Sequence, residues 1–163
     1  MIILGIDPGV ALLGYAILKT KGNDLEIIDY GCVKTSPQNI FSQRLLQIYQ
    51  ELKIIIKKYQ PQQMAIEHIY FAKNVKTAIK VSEARGVALL VAAENQLEIL
   101  EYTPLQIKQA ITGYGRAPKQ QMQKMVKAIL GLEKIPQPDD VADAIAVAIT
   151  CWQTKNFDLC PQK

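Results

Sequence analysis

Four carboxylates stand at positions where acids are costly to place. Asp7 closes an apolar run, Met1-Ile2-Ile3-Leu4-Gly5-Ile6, and Pro8-Gly9 follows at once. The run reads as a buried central strand ended by a turn. Asp7 either caps that turn, an ordinary use of Asp before Pro-Gly, or joins a site. A buried carboxylate is expensive unless it is hydrogen-bonded, paired or bound to a metal. Glu67 repeats the pattern at the end of Met64-Ala65-Ile66. Asp140 and Asp143, three apart at the start of a helical stretch, share one face. Asp139 or Asp140 alone suits a helix N-terminus as a cap or dipole partner, but Asp143 sits among Val141, Ala142, Ala144 and Ile145. Gathered together, the four would repel one another and some would take up protons. A divalent cation removes that conflict. Mg²⁺ prefers oxygen ligands, and a pair of such ions can clamp both oxygens of an in-line phosphoryl displacement. An all-carboxylate site on a basic chain points to phosphodiester hydrolysis, with acids holding metal and cations holding DNA or RNA.

The cations are unevenly spread. The formal net charge is +4, yet residues 105–130 contain no acid and carry Lys108, Arg116, Lys119, Lys124 and Lys127. A second group comprises Lys73, Lys76, Lys80 and Arg85. Such charges usually make a solvated helix face. Here they interleave with Tyr70, Phe71, Asn74, Tyr114, Gln120 and Gln121, a mixture that suits a nucleic-acid backbone with unstacked bases nearby.

Positioning these groups is the task of the elements. Residues 13–18 and 25–33 read as a second and third strand joined by Lys-Gly-Asn at 21–23, which suggests an antiparallel meander. Ser36-Pro37 is expected to start a helix, on which Phe41, Leu45, Ile48, Leu52, Ile55 and Tyr59 recur at three- and four-residue steps. A strand, a long helix and the 64–67 strand imply a crossover, hence a parallel pairing. If that pairing is with the first strand, Asp7 shares a face with Gly5 and Ile3, and Glu67 with Ala65. Neighbouring strands lie about 4.8 Å apart, so both acids would converge over small residues. A helix over 76–94 has a small-residue flank in Ala84, Gly86, Ala88, Ala92 and Ala93, fit for close approach to the sheet or to a partner subunit. Residues 97–102 form a fifth strand, Thr103-Pro104 caps a short helix to about Ile111, and 112–118 is a polar loop. Met122, Met125, Val126 and Ile129 mark another helix; the last begins near Pro138 and buries Val141, Ala144, Ile145, Ala148 and Trp152.

At 163 residues the chain should form one domain, over 1–154, with 155–163 a flexible tail. No apolar stretch is long enough for a bilayer, and no basic region precedes the first apolar run as in a secretory signal. Cys32, Cys151 and Cys160 are odd in number and far apart, which fits a reducing, cytoplasmic setting and offers no CxxC pair. A single histidine argues against a zinc site.

An ordered series of motifs resembles the RuvC family of Holliday-junction resolvases, the crossover junction endodeoxyribonucleases of the RNase H-like superfamily, over residues 1–152. It consists of Ile-Asp-Pro-Gly at 6–9, Gly14-Tyr15, Ile66-Glu67, Phe-Ala-Lys-Asn at 71–74, Glu-Ala-Arg-Gly at 83–86, Ile-Lys-Gln-Ala at 107–110 and Asp-Val-Ala-Asp-Ala at 140–144. The resemblance implies an α/β RNase H-like fold: a mixed five-stranded sheet, its first three strands antiparallel, with helices on both faces. It implies a homodimer that nicks symmetric strands of a four-way DNA junction in recombination and repair. The products carry 5′-phosphate and 3′-hydroxyl ends. Asp7, Glu67, Asp140 and Asp143 match the metal-binding carboxylates, for Mg²⁺, two ions per site, with Mn²⁺ able to substitute. Tyr70 matches an aromatic that stacks on an exposed base; Lys108 and Lys119 match lysines near the scissile phosphate, where a cation stabilises developing charge. Phe71, Lys73, Asn74, Lys76, Lys80, Arg85, Arg116 and Lys124 are the further expected DNA contacts. The helix around 83–93 would contribute to the dimer, and a branch-migration complex of the RuvA and RuvB type would be the partner. The chain departs from the family at Leu13, where Thr is usual, and at Ala16, where Gly is usual; His68 should point away from the acids by strand parity. Rival readings are a non-catalytic junction-binding module, an actin-like ATPase fold and the shorter RuvC-related nucleases.

Overall fold

The computed structural model describes residues 1–22, 24–69 and 75–158, with Lys76 and residues 155–158 described in the backbone only. Among these residues five strands make one sheet: β1 (Ile2–Asp7), β2 (Leu12–Lys21), β3 (Asp24–Lys34), β4 (Gln63–Glu67) and β5 (Glu98–Tyr102), in the order β3-β2-β1-β4-β5. β1 pairs antiparallel with β2 and β2 with β3, whereas β4 runs parallel to both β1 and β5. This is the expected mixed sheet. Helices cover both faces. α1 (Phe41–Tyr59) and α2 (Val75–Glu94) lie on one, and α3 (Pro104–Thr112), α4 (Lys119–Ile129) and α5 (Asp139–Asp158) on the other.

Alternation along β1 assigns the faces. Leu4 and Ile6 pack with Ile48, Leu52, Ala84 and Ala88 of α1 and α2. Ile3 packs with Ala65 and with Ala144, Ile145 and Ala148 of α5. A central strand buried on both faces must be apolar throughout, as the opening run is. The two departures from the family are absorbed in this packing: Leu13 is wholly buried toward α1 and α2, Ala16 toward α5.

Four sequence expectations need correction. α1 begins at Phe41, not at Ser36-Pro37. Ser36 instead closes its own turn, accepting from Gln38 N–H through Oγ (3.2 Å) and from Asn39 N–H through its carbonyl (3.2 Å). The small residues of α2 do not share one flank. Ala84, Ala88 and Ala92 are buried against the sheet, while Gly86 and Ala93 face outward beside exposed Leu90 and Ile79. On α4, Met125 is exposed and Gln123 is buried in its stead. α5 is not a one-sided helix either: from Val141 to Cys151 every side chain except Asp143 is buried, and its backbone continues helical past Lys155 to Asp158. A helix with no polar face belongs inside the molecule, here between the sheet and the α3–α4 pair.

Candidate active site

The site forms where β1, β4 and α5 meet. Registers Gly5↔Ala65 and Ile6↔Ile66 bring the ends of β1 and β4 level, so Asp7 and Glu67 leave the sheet side by side on the face toward α5. Two glycines let α5 come down onto that edge. A Cβ on Gly5 would stand 2.3 Å from the carbonyl oxygen of Ala144, and one on Gly14 would stand 2.0 Å from that of Asp140. Gly14 is also the cross-strand partner of Asp7. The first turn of α5 therefore lies over the tip of β1, which brings Asp140 and Asp143 within electrostatic reach of Asp7, and Asp143 within reach of Glu67.

The electrostatics record that convergence. Burial pushes Asp7 from an ordinary value of 3.8 up to about 8, helped by the charges of Glu67, Asp143 and Asp140 and opposed by Lys119. Burial, then Asp143, pushes Glu67 up to about 7 against the pull of Lys119 and Lys108. Burial likewise raises Asp143, although the Lys119 ammonium bonds to it. As the side chains stand, the compensating cation is Lys119. Its Nζ lies 2.9 Å from Asp143 Oδ2 and 3.3 Å from Asp139 Oδ2. For Lys119 itself burial is the largest single influence and pulls downward, but the bonds and charges of Asp143 and Asp139 outweigh it.

The arrangement suits a hard divalent cation. Asp143 Oδ1 is buried and has no hydrogen-bond partner among the described residues, and a carboxylate oxygen left so is costly unless a cation serves it. The donor set is wholly oxygen, which favours Mg²⁺ or a similar ion over softer metals. In their present rotamers no three acidic, His or Cys side chains among the described residues are drawn close enough to share an ion. Closing on a metal would take side-chain rotation, with Lys119 released from Asp143.

Glu67, Lys108, Lys119 and Asp143, with Pro104, Ile107 and Met122, line a cleft of about 240 Å³. Lys108 and Lys119 thus stand beside the acids, delivered by α3 and by the first turn of α4. Thr103 fixes α3 through a capping box with Gln106, and Pro104 occupies its first turn.

The remaining expected contacts divide. Arg85 does not face outward: its Nε donates to the carbonyl of Glu67 at 3.3 Å, and its terminal nitrogen pairs with Glu101. It is a clamp on the end of β4, and its reading as a DNA contact is not supported by where it sits. Lys80, Arg116 and Lys124 are exposed, and none of them lines the cleft beside Glu67. Tyr70, Phe71, Lys73 and Asn74 lie outside the described residues, as does the side chain of Lys76. His68 is exposed, and its N–H bonds to the Tyr102 carbonyl at 2.7 Å.

Two participants escaped the sequence reading. Asp139, set aside as a cap, accepts from Gln123 Nε2 at 2.9 Å and pairs with Lys119. The Gln123 bond, then Lys119, holds its carboxyl below the usual range. The signal was Gln123 itself, an amide on the buried stripe of α4, one turn after Lys119.

Comparison with known proteins agrees with this geometry. Residues 3–151 match the family described as crossover junction endodeoxyribonuclease RuvC. The RuvC of Alkaliphilus metalliredigens is 58% identical over 157 residues, covering 96% of each chain. The structure of Thermus thermophilus RuvC superposes with a TM-score of 0.89 at 33% identity, covering 97% of both chains. The same protein in complex with Holliday junction substrate gives 0.88 at 31% identity, with 96% of both covered. With a family match across nearly the whole chain and a relative more than half identical over almost its full length, this chain belongs to the RuvC family.

Proposed function

We propose that this protein is a Mg²⁺-dependent endonuclease that resolves four-way DNA junctions, acting as a homodimer whose two sites nick symmetric strands. The observation that carries the reading is the acid quartet at the tip of β1, where burial and mutual repulsion hold Asp7 up to about 8. Family membership and the junction-bound relative support the substrate. Asp7, Glu67, Asp140 and Asp143 would hold the metal, two ions per site, with Mn²⁺ as a substitute. When bound, such ions neutralise phosphate charge and make water a stronger nucleophile at neutral pH.

The chain's own residues do the rest. Gly5 and Gly14 keep Asp140 over Asp7 by admitting the helix backbone. Arg85 holds the end of β4, and so Glu67, in register. Lys119, once free of Asp143, is placed to meet charge developing on the phosphoryl oxygens, with Lys108 beside it. Ile107 and Met122 give the cleft an apolar wall. Hydrolysis by in-line attack leaves 5′-phosphate and 3′-hydroxyl ends. Tyr70, Phe71, Lys73, Asn74 and Lys76 are proposed contacts to the opened crossover, and Lys80, Arg116 and Lys124 proposed contacts to the DNA backbone.

The dimer reading rests on α2. Val75, Ile79 and Leu90 are 64%, 55% and 62% exposed, on the outward face that also carries Gly86 and Ala93. An apolar stripe of that size on a helix is the kind of surface that a second subunit covers. Residues 1–154 would form the single nuclease domain. A cytoplasmic setting and a branch-migration partner of the RuvA and RuvB type complete the proposal. Among the described residues no helix is long and apolar enough to cross a membrane. The test is nicking of a synthetic mobile four-way junction with Mg²⁺ and with chelator. Metal-dependent paired nicks are expected; junction binding without nicking at any metal concentration would replace the enzyme with a binding module.

A further inference from the structure

The acids open toward two helical layers, and only the α3–α4 side has been given a role. Toward α1 and α2 lies a second cleft, lined by Gly9 of the β1–β2 turn, Leu12 at the start of β2, Arg44, Thr77, Lys80 and Asp140. It therefore shares an acid with the site. Among the described residues, Asp140 is its one carboxylate, and Arg44 and Lys80 are its two cations.

Arg44 is built into this cleft. Its Nε donates to Thr35 Oγ1 at 2.8 Å, and the Thr35 hydroxyl donates to the Val10 carbonyl at 2.5 Å. Thr35 is buried, and Val10 stands in the turn that follows Asp7. The guanidinium is thus referenced to the same turn that positions the first acid. Its ion-pairing capacity is unspent, because neither Arg44 nor Lys80 has a carboxylate within ion-pair distance among the described residues. A guanidinium fixed through Nε, with its terminal nitrogens uncommitted, is preorganised to grip a phosphate. A purely structural tie to Thr35 would need only one donor, and it would not account for Lys80 across the same cleft, which has no ion pair among the described residues and lies 5.8 Å from the centre of the Phe41 ring.

Resting on the junction-cutting function proposed above, we infer that Arg44, with Lys80, binds a DNA backbone phosphate flanking the scissile one. It does so on the α1–α2 side of the acids, while Lys108 and Lys119 serve the α3–α4 side. The cut strand then crosses the edge of the sheet from one helical layer to the other, held on both sides of the bond that breaks.

The test compares wild type, Arg44→Ala, Arg44→Lys and Lys80→Ala in chelator, so that binding is read without cleavage. Junction affinity is measured across a salt series. A second series carries a single neutral methylphosphonate at successive positions of the cut strand. Arg44→Ala is expected to weaken binding by about tenfold and to reduce the salt slope by about 1. Arg44→Lys should restore the slope and only part of the affinity. One flanking methylphosphonate should weaken wild type by a similar factor and add nothing to the loss in Arg44→Ala. If Arg44→Ala fails to fold, Lys80→Ala, which changes an exposed side chain that makes no ion pair among the described residues, carries the same comparison. Unchanged salt slopes, or a methylphosphonate penalty that adds in full to the variant's loss at every position, would overturn the assignment. A wild type that nicks the junction while those results hold sinks this inference alone; a wild type that neither binds nor nicks sinks the proposed function with it.

Discussion

Replacing Asp7 with Asn should make the protein more stable and inactive at once, and the structure sets the size of the gain. An acid whose folded-state value is raised keeps its full stability below the unfolded value and loses it as pH climbs through the folded one. For Asp7 that window runs from 3.8 to about 8. With 1.36 kcal/mol per pH unit, the penalty in the wild type reaches about 4 kcal/mol at pH 7. Asn removes it but leaves a buried amide, whose imperfect bonding costs about 1–2 kcal/mol. The net gain is about 2–3 kcal/mol, or roughly 5–10 °C in Tm for a chain of this size. The assay is thermal unfolding in chelator between pH 5 and pH 8.5. Wild-type Tm should fall across that range, while Asp7→Asn should fall less and lie higher at the alkaline end. Adding Mg²⁺ at pH 8 should raise wild-type Tm by mass action and barely move the variant. Junction nicking should be lost. If Asp7→Asn melts below wild type at pH 8 in chelator, or the wild-type profile is flat, Asp7 is not the buried, mutually repelled acid described above.

Three further outcomes follow from particular contacts. Lys119→Met removes the cation that opposes the rise of Asp7 and Glu67, so in chelator the loss of stability with rising pH should become larger and extend to higher pH, and single-turnover nicking should slow by about a hundredfold or more while junction affinity changes far less. Gly14→Ala would drive a methyl to 2.0 Å from the Asp140 carbonyl; α5 must shift, and we expect about 2–3 kcal/mol of destabilisation in chelator melts together with loss of nicking. Leu90→Glu on the exposed stripe of α2 should yield a folded monomer by sedimentation whose nicks on the two symmetric strands are no longer paired.

Much of the site was readable from residue pattern. The acid at the end of β1 and that at the end of β4 follow from two apolar runs, and their meeting follows from strand parity once a crossover makes the pair parallel. Small residues at Gly5 and Ala65 flagged the close approach, although only coordinates show that α5 uses Gly5 and Gly14 to make it. What stayed hidden depends on pairing between distant elements. Arg85 belongs to a run of cations and reads as surface charge, but Glu101, on the neighbouring strand, captures it. Asp139 reads as a helix cap because local rules explain it fully; its bonds to Gln123 and Lys119 depend on how α4 packs on α5. Arg44 gave no signal, since its partner Thr35 precedes the helix and nothing in the local charge pattern connects them. The small residues of α2 misled for a simpler reason. Size alone does not say which face they occupy, and Ala84 and Gly86 point to opposite sides of the helix.

The central claim is that the acids at the ends of β1 and β4 and on α5 jointly grip a divalent metal. Its most direct test is an anomalous difference map from crystals soaked in Mn²⁺. The account predicts density bounded by Asp7, Glu67, Asp140 and Asp143, with Lys119 turned away from Asp143; Mn²⁺ density confined to other carboxylates, or none at saturating metal, would contradict it.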